Sequence, residues 1–455
     1  MERDYEKIME LVENRKYAEL KNELMELHPV DIAEIFSELD HKVLPVVFRL
    51  LPKETAAETF VELDSEHQEA LIKAFSDAEL KNILDELFAD DTVDILEEMP
   101  ANVVRRMLRQ STPEMRKEIN ELLKYPDDSA GGLMTTEFVA LKESMTVDEA
   151  FSYIKRTGID SETIYNMYVT DAQRKLLGTV SIRQLIFAER AQKVSELMDD
   201  NVISVTTLED KEAVANMFSK YDLTVMPVVD KENRIVGIIT VDDAVDVIVE
   251  EATEDMQIMS AVAPIDQTYF ETSIVKHWSK RIVWLLFLMI SGIATGLIIN
   301  HYESLITAMP LLVAFIPRLM DTGGNCGAQS STMIIRGLAL DEIRPKDIGK
   351  CVLKELGIAS LVGLTLAIAN VGIVWAMYGG SYPAALIWRL CFAFGLTLFF
   401  VVIIAKLLGC TLPILAKACK LDPAIMASPI ITTLVDITSM FVYFMVIQTF
   451  VSNLL

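Results

Sequence analysis

Asp242, Asp246, Glu250 and Glu254 stand at strict four-residue spacing within VDDAVDVIVEEATEDM, which puts four carboxylates on one face of a helix. Asp243, Glu251 and Asp255 widen the strip. Like charges at that spacing cost an isolated helix about 0.2–0.5 kcal/mol a pair, so the strip calls for a counter-charge. A solvated acidic face is the plainer reading. The sharper one is a set of divalent-cation sites shared with a facing acidic surface. Oxygen ligands suit Mg²⁺ or Ca²⁺, and Mg²⁺ keeps several waters, so scattered carboxylates can hold it loosely and respond to changes in the free ion.

A second constellation lies in apolar sequence. Asp436, in TTLVDITSM, has mostly uncharged residues on either side. An ionisable group inside a membrane costs about 2.5–3.5 kcal/mol on insertion scales and usually faces a cavity, so a pore lining is expected over a protonated Asp bonded to a neighbouring helix. Upstream, FIPRLMDTGGNCGAQSSTMIIRG contains Pro317, Gly323, Gly324 and Gly327, read as a break in a helix, with close packing on the glycines as the rival. Asn325 and Gln329 there could order water or line a pathway. No Lys-Ser/Thr pair ends the stretch, which argues against a nucleotide phosphate loop. Asp321 with Asp436 could suggest an aspartyl protease, but two carboxylates must then share a proton, and Asp321 lacks the Gly-x-Gly-Asp pattern. No other reactive constellation points to an enzyme.

The elements that carry these residues belong to two unlike halves of a 455-residue chain. Residues 1–275 hold 28 Lys and Arg against 58 Asp and Glu, a net of −30, while residues 276–455 hold 13 against 8, a net of +5. The acidic half would repel phosphates, so nucleic acid is not an expected partner. All five cysteines fall in the apolar half, where free Cys behaves as a small hydrophobe. The N-terminus MERDYEKIME has no apolar signal region, so insertion through an internal helix is expected.

Five segments are apolar enough to span a bilayer, near 282–300, 305–334, 352–378, 385–409 and 425–453, the second long enough to be bent or broken. Lys276, Lys280 and Arg281 precede the first, Arg336, Arg344, Lys346, Lys350 and Lys354 follow the second, and Lys417 and Lys420 join the last two. The alternate connections, NHYES and YGGSYPA, have neither Lys nor Arg. The positive-inside rule then places the acidic half in the cytoplasm and the C-terminus outside the cell membrane.

Two repeats organise the acidic half. SELD at 37–40 recurs as VELD at 61–64 and DELF at 85–88, with Pro52, Ser76 and Pro100 in common phase, a period that predicts an α-solenoid. LMTTEFVAL and LMDDNVISV begin a second repeat over about 133–250, each copy reading strand, helix, two strands and helix. Each copy resembles a CBS domain, with Gly178 and Gly237 at matching turn-to-strand positions. The first copy has Met167-Tyr168 where the second has Pro227. That resemblance implies a regulatory tandem, with ATP as a candidate ligand.

Together with TGGNCGAQSS and DPAIMASPIITTLVD, this order closely resembles the MgtE-type magnesium transporter family over essentially the whole chain. The resemblance implies a multidomain, α-rich membrane protein: a helical repeat domain (1–130), tandem α+β CBS domains (131–250), an acidic connecting helix (251–275) and a five-helix transmembrane domain (276–455). It implies a homodimeric, lipid-embedded channel that imports hydrated Mg²⁺ past Asp436, with Asn325, Ser428 and Thr432 lining the pore. Internal Mg²⁺ would close it from sites at Asp91, Asp210, Glu212, Asp222, Asp243, Asp246, Glu251, Glu254 and Asp255. A secondary divalent-cation carrier coupled to Na⁺ or H⁺ is the alternative. Ala328 and Ser428 depart from the Asn of some relatives.

Overall fold

Helix starts recur every 24 residues in the first part of the chain. After α1 (Glu2–Glu13) and α2 (Tyr17–Leu24), one series runs α3 (Pro29–Ser37), α5 (Lys53–Val61), α7 (Asp77–Leu84) and α9 (Ala101–Gln110). Between them lie α4 (Leu44–Phe48), α6 (Ser65–Ala74), α8 (Ala89–Glu98) and α10 (Pro113–Leu122). The core repeats with the same period: Ile32, Ala56 and Leu80 are buried, as are Phe36, Phe60 and Leu84. Helices this short are marginal alone in water, so each is stabilised by burying a face on the next. Ser76 fixes one entry point through a reciprocal cap, its backbone N–H donating to Glu79 at 2.7 Å and its hydroxyl accepting from the Glu79 N–H at 3.3 Å.

The computed structural model describes residues 2–265, 267–270, 272–340 and 342–450, and the chain divides into two compact units, Met1–Val249 and Glu250–Leu455. The first contains the helical stack and two copies of one α+β motif. Copy one is β1 (Phe138–Lys142), α11 (Val147–Thr157), β2 (Thr163–Thr170), β3 (Leu176–Ser181) and α12 (Ile182–Phe187). Copy two is β4 (Val205–Thr206), α13 (Lys211–Tyr221), β5 (Val225–Val229), β6 (Ile235–Thr240) and α14 (Val241–Met259). In each sheet the first two strands are parallel and the last two antiparallel.

The copies exchange their leading segments. Thr135, ahead of copy one, pairs with Ile238 in β6 through bonds of 2.8 and 2.9 Å, and Asp199, ahead of copy two, pairs with Thr179 at 2.9 and 2.8 Å. This crossing explains the glycines: a Cβ on Gly178 would stand 2.7 Å from the Asp199 carbonyl, and one on Gly237 2.7 Å from the Thr135 carbonyl. Gly178 and Gly237 are therefore close-approach positions.

The second unit is built from α15 (Ile274–His301), α16 (Glu303–Ala308), α17 (Ile316–Ala339), α18 (Ile348–Tyr378), α19 (Ala384–Ala418) and α20 (Ser428–Phe450). Helix α19 lies at its centre and packs on α17, α18 and α20. Among the described residues four helices are long and apolar enough to cross a membrane: α15, α18 with the turn before it, α19, and α20 with the turn before it. The expected second span is different. It divides into α16, a 3₁₀ segment at Pro310–Phe315 and α17, which has the length to cross but carries Arg318, Asp321, Asn325, Gln329 and Arg336.

Pro317 and the glycines do not break α17. Pro317 sits in its first turn, where a missing N–H costs nothing, and the helix continues through Gly323, Gly324 and Gly327. These glycines bring helices together: a Cβ on Gly323 would lie 2.8 Å from Val435 Cγ1, one on Gly327 2.6 Å from Ile431 Cγ2, and one on Gly324 would collide with Thr432 Cγ2.

Candidate cation sites

Phe88 at the start of α8 offers no side-chain cap, and a carboxylate from outside the helical stack meets the helix end instead. Ala89 N donates to Glu137 Oε1 at 3.3 Å, while Glu137 Oε2 accepts from Thr135 Oγ1 at 2.7 Å and from Thr136 N at 3.2 Å. Negative charge suits this end of a helix. The next two residues of α8 are Asp90 and Asp91, however, so the charge there exceeds what the helix end compensates.

Asp243 approaches the same place from the first turn of α14, its Oδ2 accepting from Thr240 Oγ1 at 2.5 Å. Burial first, then the charges of Asp91, Glu137 and Asp243, push Asp90 up to about 8. Burial and Asp243 push Asp91 up to about 6. Glu162 is pushed up to about 7 by burial and by Asp242, Asp91, Asp243 and Glu137. Burial also raises Asp243. One carboxylate oxygen, Asp90 Oδ1, is buried with no hydrogen-bond partner. Burial first, and negative neighbours second, keep Asp90 and Glu162 holding protons near neutrality, and a cation bound there would take the protons' place.

Of the residues expected to bind a cation, Asp91 and Asp243 meet here. Asp90, Glu137 and Glu162 were not foreseen. Only the ADDTVD doublet signalled Asp90, and nothing local marks Glu137 or Glu162, which chain folding brings in from the CBS-like tandem. Asp246, also expected, reaches the edge of this cluster: its charge adds to the causes that raise Asp243, and after burial it raises Glu62 of the helical stack, whose charge acts on Asp91.

Asp210 caps α13, its Oδ1 accepting from Glu212 N at 3.1 Å and Ala213 N at 3.2 Å. Asp222 closes the other end in a left-handed conformation, φ 52°, roughly 18 Å away at helical rise. Asp210 and Glu212 thus share a turn that Asp222 does not reach. Glu251, Glu254 and Asp255 lie on α14 beyond the division between the units. Among the described residues no three His, Cys, Asp or Glu side chains form a preformed metal cage. Loosely placed oxygens suit an ion that keeps its water.

In the second unit, Asp321, Asn325 and Gln329 form an exposed stripe at four-residue spacing on α17, with Asn325 Nδ2 donating to Asp321 Oδ1 at 3.2 Å. Thr432 and Asp436 share a face of α20, and Thr432 abuts Gly324, next to Asn325. Asp436 is half-buried about 12 Å along its helix. The side chain of Ser428 lies outside the described residues.

Residues 316–446 match the MgtE family, described as a divalent cation transporter. Residues 27–128 match the MgtE intracellular N domain, and 130–190 and 194–250 match CBS domains. The magnesium transporter MgtE of Thermus thermophilus is 39% identical over 428 residues, covering 93% of both chains. That of Bacillus subtilis is 32% identical over 450 residues, 98% of this chain and 97% of the relative. Among solved structures, the cytosolic domain of the Mg²⁺ channel MgtE in complex with ATP is similar at 40% identity and a TM-score of 0.50, covering 53% of this chain and 98% of that one. The soluble part of a magnesium transporter is similar at 31% and 0.51, covering 55% and 99%.

Proposed function

The chain belongs to the MgtE family of divalent cation transporters, and on that premise we propose that it is a homodimeric, Mg²⁺-selective channel closed by internal Mg²⁺. The observation that carries the reading is the exposed Asp321, Asn325 and Gln329 stripe on α17, which abuts through Gly324 the α20 face that carries Thr432 and Asp436. A polar stripe facing lipid is costly, and a second copy related by a two-fold axis would cover it and enclose water. Paired Asp436 carboxylates would then offer about two negative charges to one hydrated Mg²⁺ without stripping its water, the step this ion resists most.

The acidic half lies on the cytoplasmic side in this reading and the C-terminus outside, in line with the Lys and Arg of the connections. Regulatory Mg²⁺ suits the cluster of Asp90, Asp91, Glu137, Glu162 and Asp243, whose donors are all oxygens and whose strongest electrostatic neighbours are negative. Binding there would hold the helical stack to the tandem, and the expected sites on α14 extend the response toward the membrane unit. ATP is the proposed nucleotide of the tandem, since a related cytosolic domain is solved in complex with ATP.

Mg²⁺ uptake into liposomes tests the transport reading. Asp436→Ala should abolish or sharply reduce uptake while leaving the protein folded. Undiminished uptake would remove Asp436 from the pathway, and uptake that follows a Na⁺ or H⁺ gradient would replace the channel with a coupled carrier.

A further inference from the structure

Lys406 is a cation in the interior of the membrane unit, on α19 and 4% exposed. Its Nζ donates to Ser330 Oγ at 3.2 Å and stands 4.0 Å from Glu355 Oε2. Ser330 Oγ in turn donates to Glu355 Oε2 at 2.7 Å. One hydroxyl on α17 thus joins a buried ammonium on α19 to a partly buried carboxylate on α18. Twelve residues toward the other end of α17, Arg318 Nη1 donates to Asn370 Oδ1 of α18 at 2.8 Å.

The interior could be built without charge. Apolar replacements of a buried ion pair often leave stability unchanged, whereas removing one partner strands the other. A charge pair offers direction, because a bonded hydroxyl fixes both the rotation and the height of the helix that carries it. Ser330 lies about 100–180° around α17 from Asp321, Asn325 and Gln329. Whatever fixes Ser330 therefore fixes where the polar stripe stands.

Resting on the transport reading above, we infer that Lys406 and Glu355 are positioning residues for ion passage. Their opposed charges clamp Ser330 and hold the polar face of α17 in register with the α20 face that carries Asp436. The pairing also cancels a fixed positive charge that would oppose an approaching cation.

Full-length protein in liposomes tests the clamp through three variants: Lys406→Met with Glu355→Met, the exchanged pair Lys406→Glu with Glu355→Lys, and Ser330→Ala. The neutral pair should unfold at the wild-type temperature yet lose about ten- to a hundredfold in maximal Mg²⁺ flux, with the half-saturating concentration little changed. Its Mg²⁺ to Mn²⁺ flux ratio should also shift, and the exchanged pair should recover most of the flux. A folded neutral pair with wild-type flux and ion preference overturns the inference, as does a folded exchanged pair with no recovery. If the neutral pair does not fold, Ser330→Ala decides: reduced flux supports the clamp and wild-type flux overturns it. Wild-type protein in the same liposomes separates the readings, since absence of its Mg²⁺ flux counts against transport itself.

Discussion

Gly327 shows what one missing side chain does in this protein. A Cβ there would meet Ile431 Cγ2 at 2.6 Å and the Ala405 carbonyl at 3.3 Å, so α17 lies against both α20 and α19 through bare backbone. Overpacking of a filled site costs about 1–3 kcal/mol, and the shift it forces would move the polar stripe of α17 relative to the α20 face that carries Thr432 and Asp436. Gly327→Val should therefore lower thermal stability and reduce Mg²⁺ flux about tenfold or more. Gly292→Ala on α15, with nothing within 4 Å of the added methyl, should change neither. Wild-type flux in Gly327→Val would mean that the spacing of these helices does not shape the pathway. The same glycines mark a limit of reading sequence: Gly323, Gly324 and Gly327 with Pro317 fit a break as well as close packing, and the apposed surface of α20 decides for packing in a continuous helix.

At the scale of elements, carboxylates at the N-terminus of α8 and the start of α14 act on one another's charge, and burial first, then that repulsion, raises their proton affinity. Asp91, Glu162 and Asp90 sit at about 6, 7 and 8, against about 4 in an unfolded chain. Between those limits the native state binds more protons than the unfolded state, so stability falls as pH rises from about 4 to about 8. Below that window both states are protonated and the difference vanishes; above it the penalty is complete. Melting of the full chain in detergent without Mg²⁺ should therefore come at a lower temperature at pH 8 than at pH 5.5. Mg²⁺ should restore it, and by more at pH 8, since the ion then need not displace protons. Asp90→Asn should raise the Mg²⁺-free melting point at pH 8 by roughly 2–4 °C for each kcal/mol of relieved repulsion. A Mg²⁺ effect equal at both pH values would argue against this cluster as its seat. The helical period and both α+β copies were legible in the sequence because each is written in local spacing, as in the buried series Phe36, Phe60 and Leu84. Glu137 and Glu162 were not, because a carboxylate that caps a helix 48 residues away leaves no local pattern.

Taken whole, the molecule separates its charge from its membrane helices: −30 in residues 1–275 and +5 in the remainder. Such self-repulsion disfavours a compact acidic half and would be relieved by a bound cation, so in the proposed reading the ion is itself a conformational ligand. A ligand shifts an equilibrium only through its different affinity for the two states, so the proposed gating requires sites more complete in the closed form than in the open one. Helix α14 carries acids on both sides of the division between units, Asp246 before it and Glu251, Glu254 and Asp255 after it, and connects by chain to the membrane unit. Replacing those four by Asn and Gln removes the charge that Mg²⁺ would neutralise while leaving Asp436 and the α17 stripe intact. Patch recordings should then show openings that persist at internal Mg²⁺ levels that close the wild type, with conductance and ion preference unchanged. Normal closure in that variant would take α14 out of the sensor and leave the α8 cluster to act alone. Loss of current at every Mg²⁺ level would instead show that the acidic strip is needed to keep the channel able to open, which contradicts a role limited to closure.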